Sequence, residues 1–365
     1  MLRNIYLNPF LRIIFPILSV ASLLFVSILV GWNKTDPEFY SVDSPIPQGE
    51  DNALFFSEAV HEGKISEPFA IALDSKGRIY TGSSDGNIYR IKTDGKVEIF
   101  ARTSGRPLGL AFDGKGNLVT CLSGVGLAFY DAQGKENILA RQDEQGNPLE
   151  NLYGLDIASD GTVYFTEVSR KFSYDASYLE ELESRPNGRI LAYTPKNQSI
   201  AVVLDEVYAP TGIALSSREE FLVYAEKYRH RVSRFWLRGN KAGKEHFFIT
   251  HLPGSPALIH SDKKDTFWIA LSAPRHKLID KIQQEPILKK YVAALPVFFK
   301  PKEGTLTYIL GMNETGDVTF ALTDSSSSRV GSTTAAIEFG RGLLLAGNAS
   351  DKIWKWKFET LESFF

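Results

Sequence analysis

The side chains able to do chemistry in this chain are few and widely spaced. Glu167 and Glu226 each stand at a strand end that faces an inward loop. A carboxylate at a strand end is either an inward-facing acid or an acceptor for turn amides, and the second role is the commoner one. Asn151 offers a neutral oxygen nearby in sequence. Six histidines are present, but neither His246 with His251 nor His260 with His276 has a metal-site spacing beside a carboxylate. The single cysteine, Cys121, forms no internal disulfide and reads as a buried, inert thiol. Lys76–Arg78 and Arg229–Arg231 are short basic clusters of the kind that sit solvated. With 41 basic against 43 acidic residues the net charge is near −2, which gives no electrostatic case for nucleic acid as a partner.

Such scattered groups need a scaffold that brings distant segments together. Glycine (29), proline (17) and aromatics (24 Phe, 15 Tyr, 5 Trp) are plentiful, as in chains of many short strands joined by turns. From residue 53 to 365 a polar turn followed by an apolar strand recurs at Asp74–Tyr80, Asp113–Val119, Asp160–Phe165, Ser217–Val223, Asp262–Trp268 and Gly340–Leu345. Further strands follow each copy, among them Asn87–Ile91, Val97–Phe100, Leu127–Tyr130, Arg189–Tyr193 and Arg231–Leu237. Six copies at roughly 40 to 75 residues, with about four strands each, predict an all-β, six-bladed β-propeller. Residues 277–295 break the pattern with apolar side chains at near-helical spacing around Glu285-Pro286, an inserted helical or irregular cap. Ser325–Ser328 reads as a loop.

Residues 13–32, Ile13 to Trp32, contain no charge and are long enough to predict a transmembrane helix. Arg3 and Arg12 precede it, which places the amino terminus in the cytoplasm and the propeller on the non-cytoplasmic side. A cleaved signal is the other reading, but no small-x-small site ends the run. The domain organisation expected is therefore 1–32 as cytoplasmic tip and anchor, 33–52 as a Pro/Ser/Asp-rich tether, and 53–365 as propeller.

The segments Arg106–Asp113, Gly161–Thr166, Gly188–Leu191, Glu226 with Arg231, Arg234–Leu237, Lys241–Gly243 and Leu252–Gly254 resemble, in order, the strictosidine-synthase-like family. The resemblance covers residues 67 to 356 and is nearest in architecture to the membrane-anchored branch typified by adipocyte plasma membrane-associated protein. It independently implies a six-bladed propeller, with gluconolactonase and paraoxonase as distant calcium-dependent hydrolase kin.

In those kin, oxygens from several blades hold one calcium that polarises an ester or lactone carbonyl. The matching positions here are Phe69, Tyr153, Thr211 and Ala257, none of them a carboxylate or amide. The segment matching the catalytic glutamate of strictosidine synthase is Thr333–Ala336, with Ala335 at its centre and Glu338 as the nearest carboxylate. The resemblance therefore implies a propeller with a substituted tunnel, with no metal or cofactor, whose mouth binds a small hydrophobic or lipid-like ligand. The alternative is an arylesterase- or lactonase-type hydrolase with calcium as its cofactor, rearranged around Asn151, Thr211, Glu167 or Glu226.

Overall fold

The computed structural model describes residues 9–32, 34–45, 52–61, 63–296, 304–326 and 329–358. The chain forms two compact units, one of residues 1–42, 181–185 and 277–302, the other of residues 43–180, 186–276 and 303–365.

The larger unit is a six-bladed β-propeller. Strand β1 (Glu58–Ala59) is followed by five sheets that each read along the chain: β2–β5 (residues 71–102), β6–β9 (106–140), β10–β13 (152–207), β14–β17 (210–249) and β18–β21 (254–324). Strands β22–β24 (332–357) make the sixth blade, and its outer edge is completed by β1, with Glu58 opposite Lys355 and Ala59 opposite Trp354. The first and last parts of the chain thus close the ring by strand pairing.

Each recurrent polar turn is the first hairpin of a blade, and its leading side chain explains why. Asp74 Oδ1 accepts from the amides of Lys76 (3.0 Å) and Arg78 (2.9 Å), and Asp113 Oδ1 accepts from those of Lys115 (2.9 Å) and Asn117 (2.8 Å). These side chains satisfy turn amides that no strand reaches. The flanking strands are buried on both faces because blades pack face to face. Phe221, Val223 and Val232 of the fourth blade meet Phe267, Ile269 and Leu271 of the fifth in one cluster.

Five of the six innermost strands, β6 (Arg106–Phe112), β10 (Leu152–Ile157), β14 (Pro210–Leu215), β18 (Gly254–Ser261) and β22 (Ser332–Glu338), carry a register shift near their starts. Such bulges bend the strand and re-aim its side chains toward the axis. Two glycines there are required by space: a Cβ on Gly154 would stand 2.5 Å from the Thr211 carbonyl, and one on Gly212 2.4 Å from that of Ala257. Threonines tie the ring at the same level. Thr166 Oγ1 donates to Thr211 O (2.6 Å), and Thr334 Oγ1 donates to Phe69 O (2.6 Å), joining the last blade to the first.

The smaller unit contains helix α1 (Pro9–Gly31), α3 (Lys277–Ile282) and α4 (Pro286–Ala294); α2 (Tyr178–Glu183) precedes α3 in the chain. Residues 277–294 are thus two short helices with Pro286 at the start of the second, where its missing N–H is harmless. Trp32 meets Tyr291 edge-on, with centroids 5.0 Å apart. Residues 36–40, in the stretch read as a tether, are bonded within this unit: the Glu38 amide donates to Glu183 O and that of Tyr40 to Gln283 O, while Arg185 pairs with Asp36 and Glu38.

The expected transmembrane span over Ile13–Trp32 requires correction. Among the described residues no helix is long and apolar enough to cross a membrane. What is present is a helix whose apolar side chains, among them Phe15, Leu18, Leu23 and Phe25, are turned outward and exposed.

Candidate functional site

The tunnel is pinched at its centre. Side chains of the inner strands, including Ile71, Leu110, Leu155, Ile213, Ile259 and Ile337, leave a cavity of about 30 Å³, room for a water or two. A cavity of about 490 Å³ opens on either side of this apolar plug.

One of the two mouths gathers half of the residues singled out from sequence. Phe69, Tyr153, Thr211 and Asn151 line it, together with Val168, Tyr174, Tyr228, Ser272, Ser332 and Asn348, and with Glu67, Asp175 and Lys227. Phe69 and Tyr153 pack edge to face, with centroids 5.3 Å apart and planes at 82°, so the first and third blades present one continuous aromatic wall. Arg106 lies over the Tyr174 ring at 4.7 Å and Lys227 over that of Tyr228 at 4.9 Å.

The other matched positions lie elsewhere. Ala335 lines the central plug. Ala257 is fully buried in the wall, and its carbonyl accepts from Thr211 Oγ1 at 3.3 Å, while Pro256 O accepts from the same hydroxyl at 3.1 Å. The Thr211 hydroxyl therefore serves the joint between the fourth and fifth blades.

The two acids have structural partners. Glu167, at the end of β11 (Val163–Glu167), receives Arg189 Nε at 2.6 Å, and the same guanidinium reaches Asp143 at 2.6 Å; all three side chains are at most 2% exposed. Burial pushes the Glu167 carboxyl up, with Arg189 opposing. Asp143 is subject to the same desolvation, yet hydrogen bonds from Asn147 and Arg189 outweigh it and hold the group down at about 2. Glu226, at the end of β15 (Phe221–Glu226), is gripped by both nitrogens of the Arg231 fork and by Ser233 Oγ at 2.9 Å. Asn151 differs from both. Its Nδ2 donates to Phe172 O at 2.9 Å, but its Oδ1 is buried without a hydrogen-bond partner.

The opposite mouth holds Asp156, His260, Asp262, Lys263 and Glu338. Lys263 pairs with Asp156 at 2.5 Å, and Trp268 Nε1 donates to Glu338 at 3.2 Å. Burial pushes His260 down to about 4, so its imidazole is neutral at pH 7. Among the described residues no group of three His, Cys, Asp or Glu side chains is placed to hold a metal ion.

The sequence reading missed Tyr174, Tyr228, Ser272 and Ser332 as lining residues. One signal pointed to the tyrosines: Tyr174 lies seven residues after Glu167 and Tyr228 two after Glu226, on the loops leaving the second strands of adjacent blades.

Residues 153–240 match the family model described as strictosidine synthase, and residues 51–91 the model described as strictosidine synthase-like, N-terminal. Protein strictosidine synthase-like 6 of Arabidopsis thaliana is 30% identical over 287 residues, 75% of this chain and 76% of that protein. This chain belongs to the strictosidine synthase-like family. The adipocyte plasma membrane-associated protein of Bos taurus is 27% identical over 283 residues, 72% of this chain and 67% of its own length. Among solved structures, a gluconolactonase from Xanthomonas campestris superposes with a TM-score of 0.61 at 14% identity, covering 87% of this chain and 96% of that one. Regucalcin from Agrobacterium tumefaciens, a calcium-binding protein, gives 0.59 at 12% identity, with coverages of 87% and 95%. At such identities the likeness is one of fold.

Proposed function

We propose that this strictosidine synthase-like propeller is a membrane-attached binding protein whose aromatic mouth takes a small hydrophobic or lipid-like ligand. The observation that carries the reading is the chemistry of the mouth. Its wall is built on Phe69 and Tyr153, while the two inner acids, Glu167 and Glu226, are committed to Arg189 and Arg231. A cavity of about 490 Å³ is of the size that takes a small ligand.

Calcium, which the fold's lactonase kin would suggest, does not suit these residues. The ion takes six to eight oxygens, and the four matched positions offer a phenyl ring, a phenol, a hydroxyl already donated to two carbonyls, and a methyl group. Attachment to the bilayer rests on α1, whose outward apolar side chains would be buried in lipid at about 25 cal/mol per Å². The bovine relative is named for a plasma membrane. We place the apolar side chains of α1 against lipid.

Full-length protein in nanodiscs is expected to take up 2-methoxynaphthalene saturably above empty nanodiscs and to hydrolyse phenyl acetate no faster with calcium than with chelator. Absence of uptake, or chelator-sensitive turnover, refutes the binding reading. In cells, the chain should sediment with the membrane fraction at physiological salt. Its recovery in the soluble fraction refutes the attachment.

A further inference from the structure

Two amide oxygens in the mouth have no partner. Asn151 is 1% exposed, and its orientation is set by the Nδ2 bond to Phe172 O, since the reversed amide would bring two acceptors together. That leaves Oδ1 buried and unpaired on a residue that lines the cavity. Asn348, the last residue of β23 (Gly342–Asn348), also lines the cavity with a buried, unpaired Oδ1. Asn151 enters the third blade and Asn348 belongs to the sixth, so in a ring of six the two acceptors stand on opposite walls.

A buried acceptor left unpaired is costly, and a site built around one favours the ligand that supplies the missing donor. We propose that the mouth selects an apolar molecule carrying a hydroxyl group, whose O–H donates to Asn151 Oδ1, with Asn348 Oδ1 as the acceptor for a second hydroxyl on the far side. A neutral donor fits better than a cation, because the oxygens are amide dipoles and the mouth's carboxylates, Glu67 and Asp175, are on the exposed rim. The proposal rests on the binding reading above and adds the polar rule by which the ligand is chosen.

The test compares 2-naphthol with 2-methoxynaphthalene, which share a ring system but not the donor, on the full-length protein in nanodiscs. The expected result is tighter binding of 2-naphthol by about tenfold. Asn151→Ala should remove that preference. Equal affinity of the two probes for the unaltered protein overturns the donor rule and leaves the ligand mouth standing. Binding of neither removes both readings. Because the decisive comparison uses the unaltered protein, poor folding of the variant does not protect the proposal.

Discussion

Replacing Arg189 with methionine should unpin the crossing between the second and third blades. Asp143 lies in the connection from β9 (Glu136–Ala140) to β10, and Arg189 joins it to Glu167 within a site that water does not reach. Breaking a buried pair by removing one partner costs about 3–5 kcal/mol. The lower end applies here. Glu167 is already held high by burial and can take up a proton, and Asp143 keeps its bonds from the Gln145 amide (3.0 Å) and the Asn147 amide (2.9 Å). At about 2 °C per kcal/mol for a domain of this size, a loss of roughly 3 kcal/mol lowers Tm by about 6 °C. Differential scanning calorimetry of the full-length protein at pH 7 reads this directly. The combined change Arg189→Met, Asp143→Asn and Glu167→Gln removes every charge together and should recover most of the loss. A single variant that melts within 2 °C of the parent would refute the reasoning.

The acid limb and the inner ring give two more tests. Asp143, depressed from 3.8 to about 2, contributes stability that is present above pH 4 and lost as pH falls toward 2. Glu167, raised by burial, works in the opposite sense, so the effect is read as a difference between Asp143→Asn and its parent in urea unfolding. The variant should lose about 2 kcal/mol less between pH 4 and pH 2, and parallel curves would contradict the assignment. Gly154→Ala forces a methyl group to within 2.5 Å of a neighbouring blade's carbonyl and should cost at least about 3 kcal/mol or the folded state itself. Gly114→Ala, with nothing within 4 Å, is the control; equal melting of the two by intrinsic fluorescence would show that the inner strands are less tightly spaced than described.

The number of blades and the placing of their first hairpins were legible in the sequence because both are local. An Asp or Gly turn followed by an apolar strand needs only its neighbours to form, and the repeat of that unit counts the blades. What the candidate site residues face was not legible. Glu167 and Glu226 look alike at the ends of their strands, and only strand pairing, which sets Arg189 opposite Glu167 and Arg231 opposite Glu226, turns both acids into structural ions. Thr211 reads as a free hydroxyl until the next blade brings the carbonyls of Pro256 and Ala257 to it. Asn348, nearly two hundred residues from Asn151, reaches the same cavity only because the ring closes. The apolar run at 13–32 carries its hydrophobicity in sequence, whereas the length and exposure of the helix it forms are properties of the folded chain. Sequence determines which groups exist and their local turns; long-range pairing decides which charges are neutralised and which oxygens are left for a ligand.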